Sequence, residues 1–207
     1  MSNVFRFRTV GSTSPEPDAL HEVIRKEPGV IVELCRGYER RESAGACGGI
    51  LKEALKWDAV AAVILYDEPT ADGKKPLDIY NDVDVSSPSS GKGIFWNFFS
   101  YINDSTFEVS ADAFDCFRLI LTKHKQLVAQ YIGVNFDLFF EKYNEILIKS
   151  ESYVTKRQSL KLLGEILLDR TFYDIMTRYV SSGENLKLIM YCLKDDRRMV
   201  QYEAFHV

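Results

Sequence analysis

The chain has 207 residues, of which 46% are hydrophobic and 27% are charged, and its formal net charge is −4. That length and apolar content can bury a sizeable core, whereas the negative charge argues against a general nucleic-acid binder. The longest apolar run, residues 59–66, is too short to cross a bilayer, and the polar N-terminus lacks the apolar stretch of a signal peptide. We therefore expect a soluble intracellular protein.

The first 17 residues are polar and predict a disordered N-terminal lead-in, while residues 18–207 predict one helical-repeat domain. Apolar periodicity then predicts helices at about 18–26, 28–38, 41–56 and 58–66. Residues 67–92 are rich in proline, serine and glycine, so we expect a flexible insertion between two helices of one repeat.

Helices resume at residues 93–102, a densely aromatic segment whose side chains we expect in the core. Ser105 and Glu108 have the spacing of a capping box and predict the start of a helix that runs to about residue 123. Further helices are predicted at about 124–132, 135–149, 153–169, 171–181, 184–194 and from 197 to the end.

The helix at 153–169 recurs along the chain. Its apolar stripe, Leu160, Leu163 and Leu167, aligns with Phe114, Phe117 and Leu121, and Phe205 aligns with Leu160. The copies lie roughly 45 residues apart, which is typical of HEAT and armadillo repeats. The pattern predicts an all-α, armadillo/HEAT-like solenoid, a right-handed superhelix of mostly three-helix repeats.

Both ends of the chain fall inside a repeat. Residues 18–38 correspond to the second and third helices of a unit, and residues 204–207 stop within a first helix. Since solenoids need polar caps, we expect a chain truncated at both ends, with apolar surface exposed at its C-terminal edge.

The search for site chemistry predicts no enzyme, no cofactor and no metal site. Gly91-Lys92-Gly93 lacks the rest of a phosphate loop, and no histidine has metal-ligand spacing to a partner. The four cysteines, Cys35, Cys47, Cys116 and Cys192, are widely spaced and predict reduced core thiols. Arg157 and Lys161 lie four residues apart on one helix. Spacing alone leaves two explanations open, a solvated polar face or a surface for an acidic partner.

Residues 152–170, Ser-Tyr-Val-Thr-Lys-Arg-Gln-Ser-Leu-Lys-Leu-Leu-Gly-Glu-Ile-Leu-Leu-Asp-Arg, resemble the signature helix of the calcium-binding protein 39 family, also called Mo25-like or HymA. The resemblance continues through residues 175–179, 184–188 and 201–207, with further matches at 34–38, 105–107 and 110–114. Residues 93–96 are similar to the fungal branch, named for conidiophore development. The resemblance covers about residues 20–207 and leaves out residues 1–17 and the family's first and C-terminal repeats.

This resemblance implies a non-catalytic scaffold whose concave face binds and activates Sterile-20 (germinal-centre) protein kinases or a related pseudokinase. For a fungal-type member it implies a role in polarised growth, morphogenesis and cell-separation signalling. The implied location is the cytoplasm, with enrichment at sites of polarised growth or septation. No nucleic-acid, membrane or metal partner is expected, and no calcium site is visible in the sequence.

The resemblance also implies a set of kinase-binding residues, which are Arg157, Arg170, Lys161, Tyr153, Phe107, Tyr173 and Met190. Met190 matches the floor of a pocket for a Trp-Glu-Phe tail. Each residue has a simpler explanation as well: Phe107 and Met190 could be core residues, and Arg170 could interact with the end of its own helix. Two other classes of function stay open. One is a helical-repeat nucleic-acid binder, which should carry many more basic residues and a basic overall charge. The other is a helical-repeat adaptor for linear peptides in trafficking.

Overall fold

The computed structural model describes residues 24, 26–68, 85–103 and 106–207. All regular secondary structure in these ranges is helical, which confirms the all-α prediction. The predicted lead-in at 1–17, most of the helix at 18–26, residues 69–84 of the insertion and Ser105 lie outside the described residues.

The helices follow the predicted order. They are α1 (Gly29–Arg36), α2 (Arg41–Ala54), α3 (Asp58–Tyr66), α4 (Ile94–Ile102), α5 (Phe107–Lys123), α6 (Lys125–Val134), α7 (Phe136–Lys142), α8 (Tyr153–Leu167), α9 (Tyr173–Ser181), α10 (Gly183–Cys192) and α11 (Arg198–Phe205). Short 3-10 turns at Gly37–Glu39 and Arg170–Phe172 precede α2 and α9.

Three stacks of helices make up the domain. The first stack is α2, α5, α8 and α11, in which each helix packs on the next. The second is α3, α6 and α9, and the third contains α1, α4 and the segment that follows α7. Three-helix units beginning at α2, α5 and α8 therefore share one continuous core, and the helical-repeat prediction is confirmed.

Aromatic side chains fill the junction between α4, α5 and α7. Phe99 and Phe117 have ring centroids 5.1 Å apart, and Phe95 stacks on Phe117 at 5.7 Å. Phe139 joins them from α7, and all four rings are buried. Burial of each ring stabilises the fold by roughly 1.5–3 kcal/mol, so the aromatic run of α4 is core, as predicted.

Helix α8 shows how local sequence produces this packing. Ser152 precedes it, and the Ser152 Oγ accepts a hydrogen bond from the Thr155 N–H at 3.3 Å. Its predicted stripe, Leu160, Leu163 and Leu167, is buried. Gly164 allows the C-terminal end of α11 to approach closely, because a Cβ there would lie 3.3 Å from the His206 carbonyl oxygen.

One detail of the helices differs from the prediction. The predicted continuous helix at 135–149 is an α-helix only to Lys142, and Tyr143–Ile148 form a π-helix. Apolar periodicity did not reveal this change, because Tyr143, Leu147 and Ile148 are buried like residues of an ordinary amphipathic helix. Helix α5 starts at Phe107, and the residue before it, Thr106, makes no side-chain capping bond.

The last part of the predicted insertion, residues 85–92, contacts the helices around it. Residues 85–92 are described, and they pack against the end of α3, the start of α4 and the start of α7. Gly91 has a φ of +76°, the only positive φ among the described residues, and turns the chain into α4. These contacts hold residues 85–92 in place, whereas the flexible insertion at about 67–92 as a whole stays a prediction.

The last helices expose several large apolar side chains, as predicted for the C-terminal edge. They are Leu186, Met190, Tyr191, Leu193, Met199, Tyr202 and Phe205. Phe205 is 78% exposed although its repeat equivalent, Leu160, is fully buried. Phe205 is therefore not a core residue in α11, since no element of the described chain covers that face as α9 covers α8.

Cys35, Cys116 and Cys192 are buried and Cys47 is half-buried, and all four are free thiols, in agreement with the sequence. Burial raises the pKa of the Cys116 thiol to about 11, which makes it unreactive at neutral pH. No helix in the described ranges is long and apolar enough to span a membrane.

Candidate partner-binding surface

Three of the seven predicted binding residues form one stripe on α8. Tyr153, Arg157 and Lys161 follow one another at intervals of four residues, so they lie on the same face of the helix. Glu165 continues the stripe one turn further and is held by Arg118 of α5, with Nη2–Oε2 at 3.0 Å. The stripe therefore runs along α8 between its two neighbours in the first stack, α5 and α11.

Arg157 is oriented by the chain itself. Its Nε donates to Oε1 of Glu203 on α11 at 3.3 Å, and Glu203 is only 8% exposed. This contact uses one of the five N–H donors of the guanidinium. The Arg157 side chain is 40% exposed, and its Nη groups have no partner among the described residues. The face is therefore more than a solvated polar surface, because one carboxylate fixes Arg157. The outer N–H donors of Arg157 remain available to a further acceptor.

Arg157 and Lys161 line a groove of about 560 Å³ between α8 and α11. Met199, Tyr202 and His206 line it from the other helix, and Leu168, just after α8, lines it as well. Tyr202 and His206 lie 45 residues after Arg157 and Lys161, at equivalent positions of the repeat. Sequence reasoning missed them, although extending the repeat alignment to polar positions would have found them.

Tyr153 lies at the first residue of α8 and is partly exposed. The Arg197 guanidinium lies 5.7 Å from the centroid of its ring, within cation–π distance. Arg197 is held by two 2.7 Å bonds to Asp195, which also pairs with Lys156 at 3.5 Å. The hydrogen bonds from Arg197 hold the pKa of the Asp195 carboxyl well below its usual range, so this pair stays charged at physiological pH.

Phe107 occupies the position on α5 that Tyr153 occupies on α8, the first helical residue. It is 69% exposed, so the alternative explanation, burial between helices, is wrong. Two neighbouring helices of the first stack thus each begin with an exposed aromatic side chain.

Arg170 and Tyr173 lie beyond the other end of α8. At 1.5 Å per residue the helix is about 20 Å long, so these residues are distant from Tyr153. Both are exposed, and Arg170 has no carboxylate within ion-pair distance in the described chain. Its neighbour Asp169 is occupied by Lys125 at 2.6 Å, and this bond with that from Thr171 lowers the pKa of Asp169 to about 2.

Met190 lies on α10, outside the first stack, and is 59% exposed. It is therefore not a core methionine, the simpler explanation for this residue. The described contacts do not bring it next to the α8 stripe.

The surface as a whole is a long strip of exposed aromatic rings and available cations. It extends over both ends of α8 and onto α5 and α11, and none of its groups forms a cluster of three possible metal ligands within the described ranges. Arginine beside aromatic rings is the composition enriched at protein–protein hot spots. Such a strip fits another protein surface better than a small molecule.

The matching family model is that of the Mo25-like proteins, and it covers residues 1–207. The chain belongs to the Mo25-like family. The match includes residues 1–17, so the prediction that the resemblance leaves them out is wrong. Mo25-like proteins are helical-repeat proteins of the scaffold type, in agreement with the three stacks of helices.

Among characterised relatives, the chain is 54% identical over 206 residues to the conidiophore development protein hymA of Emericella nidulans, covering 100% of this chain and 53% of that protein. It is 40% identical to human calcium-binding protein 39-like, covering 100% of this chain and 52% of the relative. The Mo25-like protein of Schizosaccharomyces pombe is 44% identical over 180 residues, which are 87% of this chain and 47% of that protein. The chain thus spans about half the length of the relatives it matches.

Proposed function

We propose that this Mo25-like chain is a non-catalytic scaffold that binds a Sterile-20 (germinal-centre) protein kinase, or a related pseudokinase, and favours its active conformation. The observation that carries the proposal is the α8 stripe, where Glu203 orients Arg157 while the outer donors of Arg157 meet no partner among the residues that the structure describes. Arginine forms bidentate pairs with carboxylates, so a pre-oriented guanidinium suits an acidic partner surface.

Arg170 and the exposed rings of Phe107, Tyr153 and Tyr173 extend the contact. A folded kinase domain is wide enough to reach both ends of α8, whereas a short linear peptide would fill only the groove beside α11. The same proposal includes a role in polarised growth, morphogenesis and cell separation. It also includes a location in the cytoplasm near growing or dividing sites. They are supported by similarity to a protein named for conidiophore development.

The test removes both arginines, as Arg157→Ala with Arg170→Ala, and measures affinity for a purified Sterile-20 kinase domain. Loss of two charge-assisted contacts should weaken binding by about tenfold or more, with helical circular dichroism unchanged. The control, Arg36→Ala with Lys149→Ala, removes the same charge from residues whose ion pairs in the described ranges are with glutamates of their own helical segments.

Equal affinities for the two double variants would contradict the assignment of the site. If the wild-type chain does not bind the kinase domain but binds a linear acidic peptide in the α8–α11 groove, the peptide-adaptor function is favoured instead. Stimulation of kinase activity by the wild-type chain, and its loss in the arginine variant, would separate activation from mere binding.

A further inference from the structure

A second polar site lies where the chain returns from the insertion to α4. Glu68, just after α3, receives the hydroxyl hydrogens of Ser89 and Ser90, one on each carboxylate oxygen. The Ser90 N–H also donates to Oε2 of Glu68 at 3.2 Å. We call Glu68, Ser89, Ser90, Trp96 and Asn135 the polar clamp.

The polar clamp joins three parts of the fold. Trp96 of α4 donates its Nε1–H to the Ser89 Oγ at 2.7 Å, and the Ser89 N–H donates to Oδ1 of Asn135, between α6 and α7, at 2.7 Å. Next to it, Gly93 packs so tightly on the Asp67 carbonyl oxygen that a Cβ would lie 2.0 Å from it. One carboxylate therefore fixes the segment that leads into the aromatic core.

The two serines of the polar clamp differ in access. Ser89 is half-buried, and its hydroxyl both accepts from Trp96 and donates to Glu68. Ser90 is exposed, with exposed Pro88 and Lys92 on either side. A modifying enzyme could reach Ser90 without unfolding a helix, because the residue lies in an irregular surface segment.

We infer that Ser90 is a phosphorylation site and that phosphorylation opens the polar clamp. In this reaction the Ser90 Oγ attacks the γ-phosphorus of a nucleoside triphosphate held by a protein kinase. The new O–P bond replaces the bond to the β-phosphate oxygen, the hydroxyl proton leaves to a base, and the diphosphate departs.

Phosphorylation of Ser90 changes both the charge and the hydrogen-bond donors next to Glu68. Phosphorylation removes the hydrogen that Ser90 donates to Glu68 and adds a charge of about −1.5 to −2 beside that carboxylate. The like charges repel, while Lys92, two residues on, offers the phosphate a cation on the solvent side. The segment at 85–92 should then leave Glu68, and Ser89 should lose its bonds to Trp96 and Asn135.

The experiment uses the full chain with phosphoserine incorporated at position 90, in a Trp57→Phe background so that Trp96 is the only indole. We expect amide hydrogen exchange at residues 89 and 90 to accelerate at least tenfold, with a red shift of Trp96 emission. The matched control carries phosphoserine at position 181, whose hydroxyl donates only to the Thr177 carbonyl oxygen on the surface of α9.

A second variant tests the cause. With Glu68→Gln the repulsion is gone, so phosphoserine at position 90 should accelerate exchange less than twofold relative to unmodified Glu68→Gln. Three results would each overturn the inference. They are unchanged amide exchange and emission in the Ser90-phosphorylated chain, an equal response to phosphoserine at position 181, and an undiminished response in the Glu68→Gln background. Mass spectrometry of the protein from its own cells should find phosphate on Ser90, and its absence there would overturn the site.

Discussion

Two junctions in the first stack of helices each contain a carboxylate that pairs with a cation. They differ in how many of the cation's N–H groups remain available to another molecule. Between α2 and α5, Asp112 accepts a 2.6 Å hydrogen bond from the Tyr38 hydroxyl and pairs with Lys52 through its other oxygen. Between α8 and α11, Glu203 pairs with Arg157 through a single Nε contact at 3.3 Å.

The number of donors explains the difference. At the α2–α5 junction a hydroxyl and an ammonium meet one carboxylate, and the Tyr38 hydroxyl also lies 3.1 Å from the Cys116 Sγ. At the α8–α11 junction the carboxylate accepts one N–H of a guanidinium whose other N–H groups have no partner in the described part of the chain. The same repeat can therefore join two units tightly at one junction and leave cations exposed at the next.

The largest effect should come from closing the small space at the α2–α5 junction with Gly48→Ala. A Cβ at this position would lie 1.9 Å from the Asp112 Oδ2 and 2.4 Å from the Tyr38 hydroxyl, so the network must break. We expect a net loss of about 2 kcal/mol in the free energy of unfolding, since lost hydrogen bonds to a charged group outweigh the better helix propensity of Ala. Denaturant unfolding measures it, and a stability equal to wild type would show that the network contributes little.

A smaller effect is expected at the second junction from Glu203→Gln, which keeps the shape but removes the charge that orients Arg157. Because the Arg157 side chain of this pair is 40% exposed to solvent, the pair should contribute about 1 kcal/mol or less to stability. Kinase affinity should fall less than in the Arg157→Ala and Arg170→Ala variant, because both cations remain. If Glu203→Gln weakened binding as much as that variant does, orientation rather than charge would decide binding.

The smallest effect should come from Gly164→Ala, the counterpart of Gly48→Ala at the α8–α11 junction. The added Cβ would come closest to the His206 carbonyl oxygen, at 3.3 Å, near the end of α11, with the Val207 Cγ2 at an ordinary contact distance of 3.8 Å. A slight shift of that end and the gain of about 1 kcal/mol in helix propensity should nearly cancel. Thermal unfolding of the Gly48→Ala and Gly164→Ala variants measures both effects. A larger loss of stability for Gly164→Ala than for Gly48→Ala would contradict the prediction.

Much of the fold could be predicted because its signal is local. Apolar periodicity located the helices, and the repeat spacing ordered them into three-helix units. The α2–α5 network could not be predicted, because Tyr38, Lys52 and Asp112 come from three separate segments and none has a motif of its own. The Ser89–Ser90 segment was assigned to a flexible insertion because its composition is that of a loop, although its contacts with Glu68 fix it.

Part of the candidate site could also be predicted from a local signal. The four-residue spacing placed Arg157 and Lys161 on one face of α8, but periodicity says nothing about an isolated apolar residue. Phe107 and Met190 could therefore be core or surface until the neighbouring helices were in place. The carboxylate of Glu203 lies on another helix, so its role in orienting Arg157 is visible only in three dimensions.

The π-helix at Tyr143–Ile148 bears on how units of this repeat vary in length. Phe107 and Tyr153, the first residues of α5 and α8, are 46 positions apart, whereas Tyr153 and Arg198, the first residues of α8 and α11, are 45 apart. A π-turn spans one residue more than an α-turn, so it can absorb a single inserted residue without moving the helix that follows. Insertions of one residue in this segment should thus be tolerated in relatives, with the strip of α8 kept in phase.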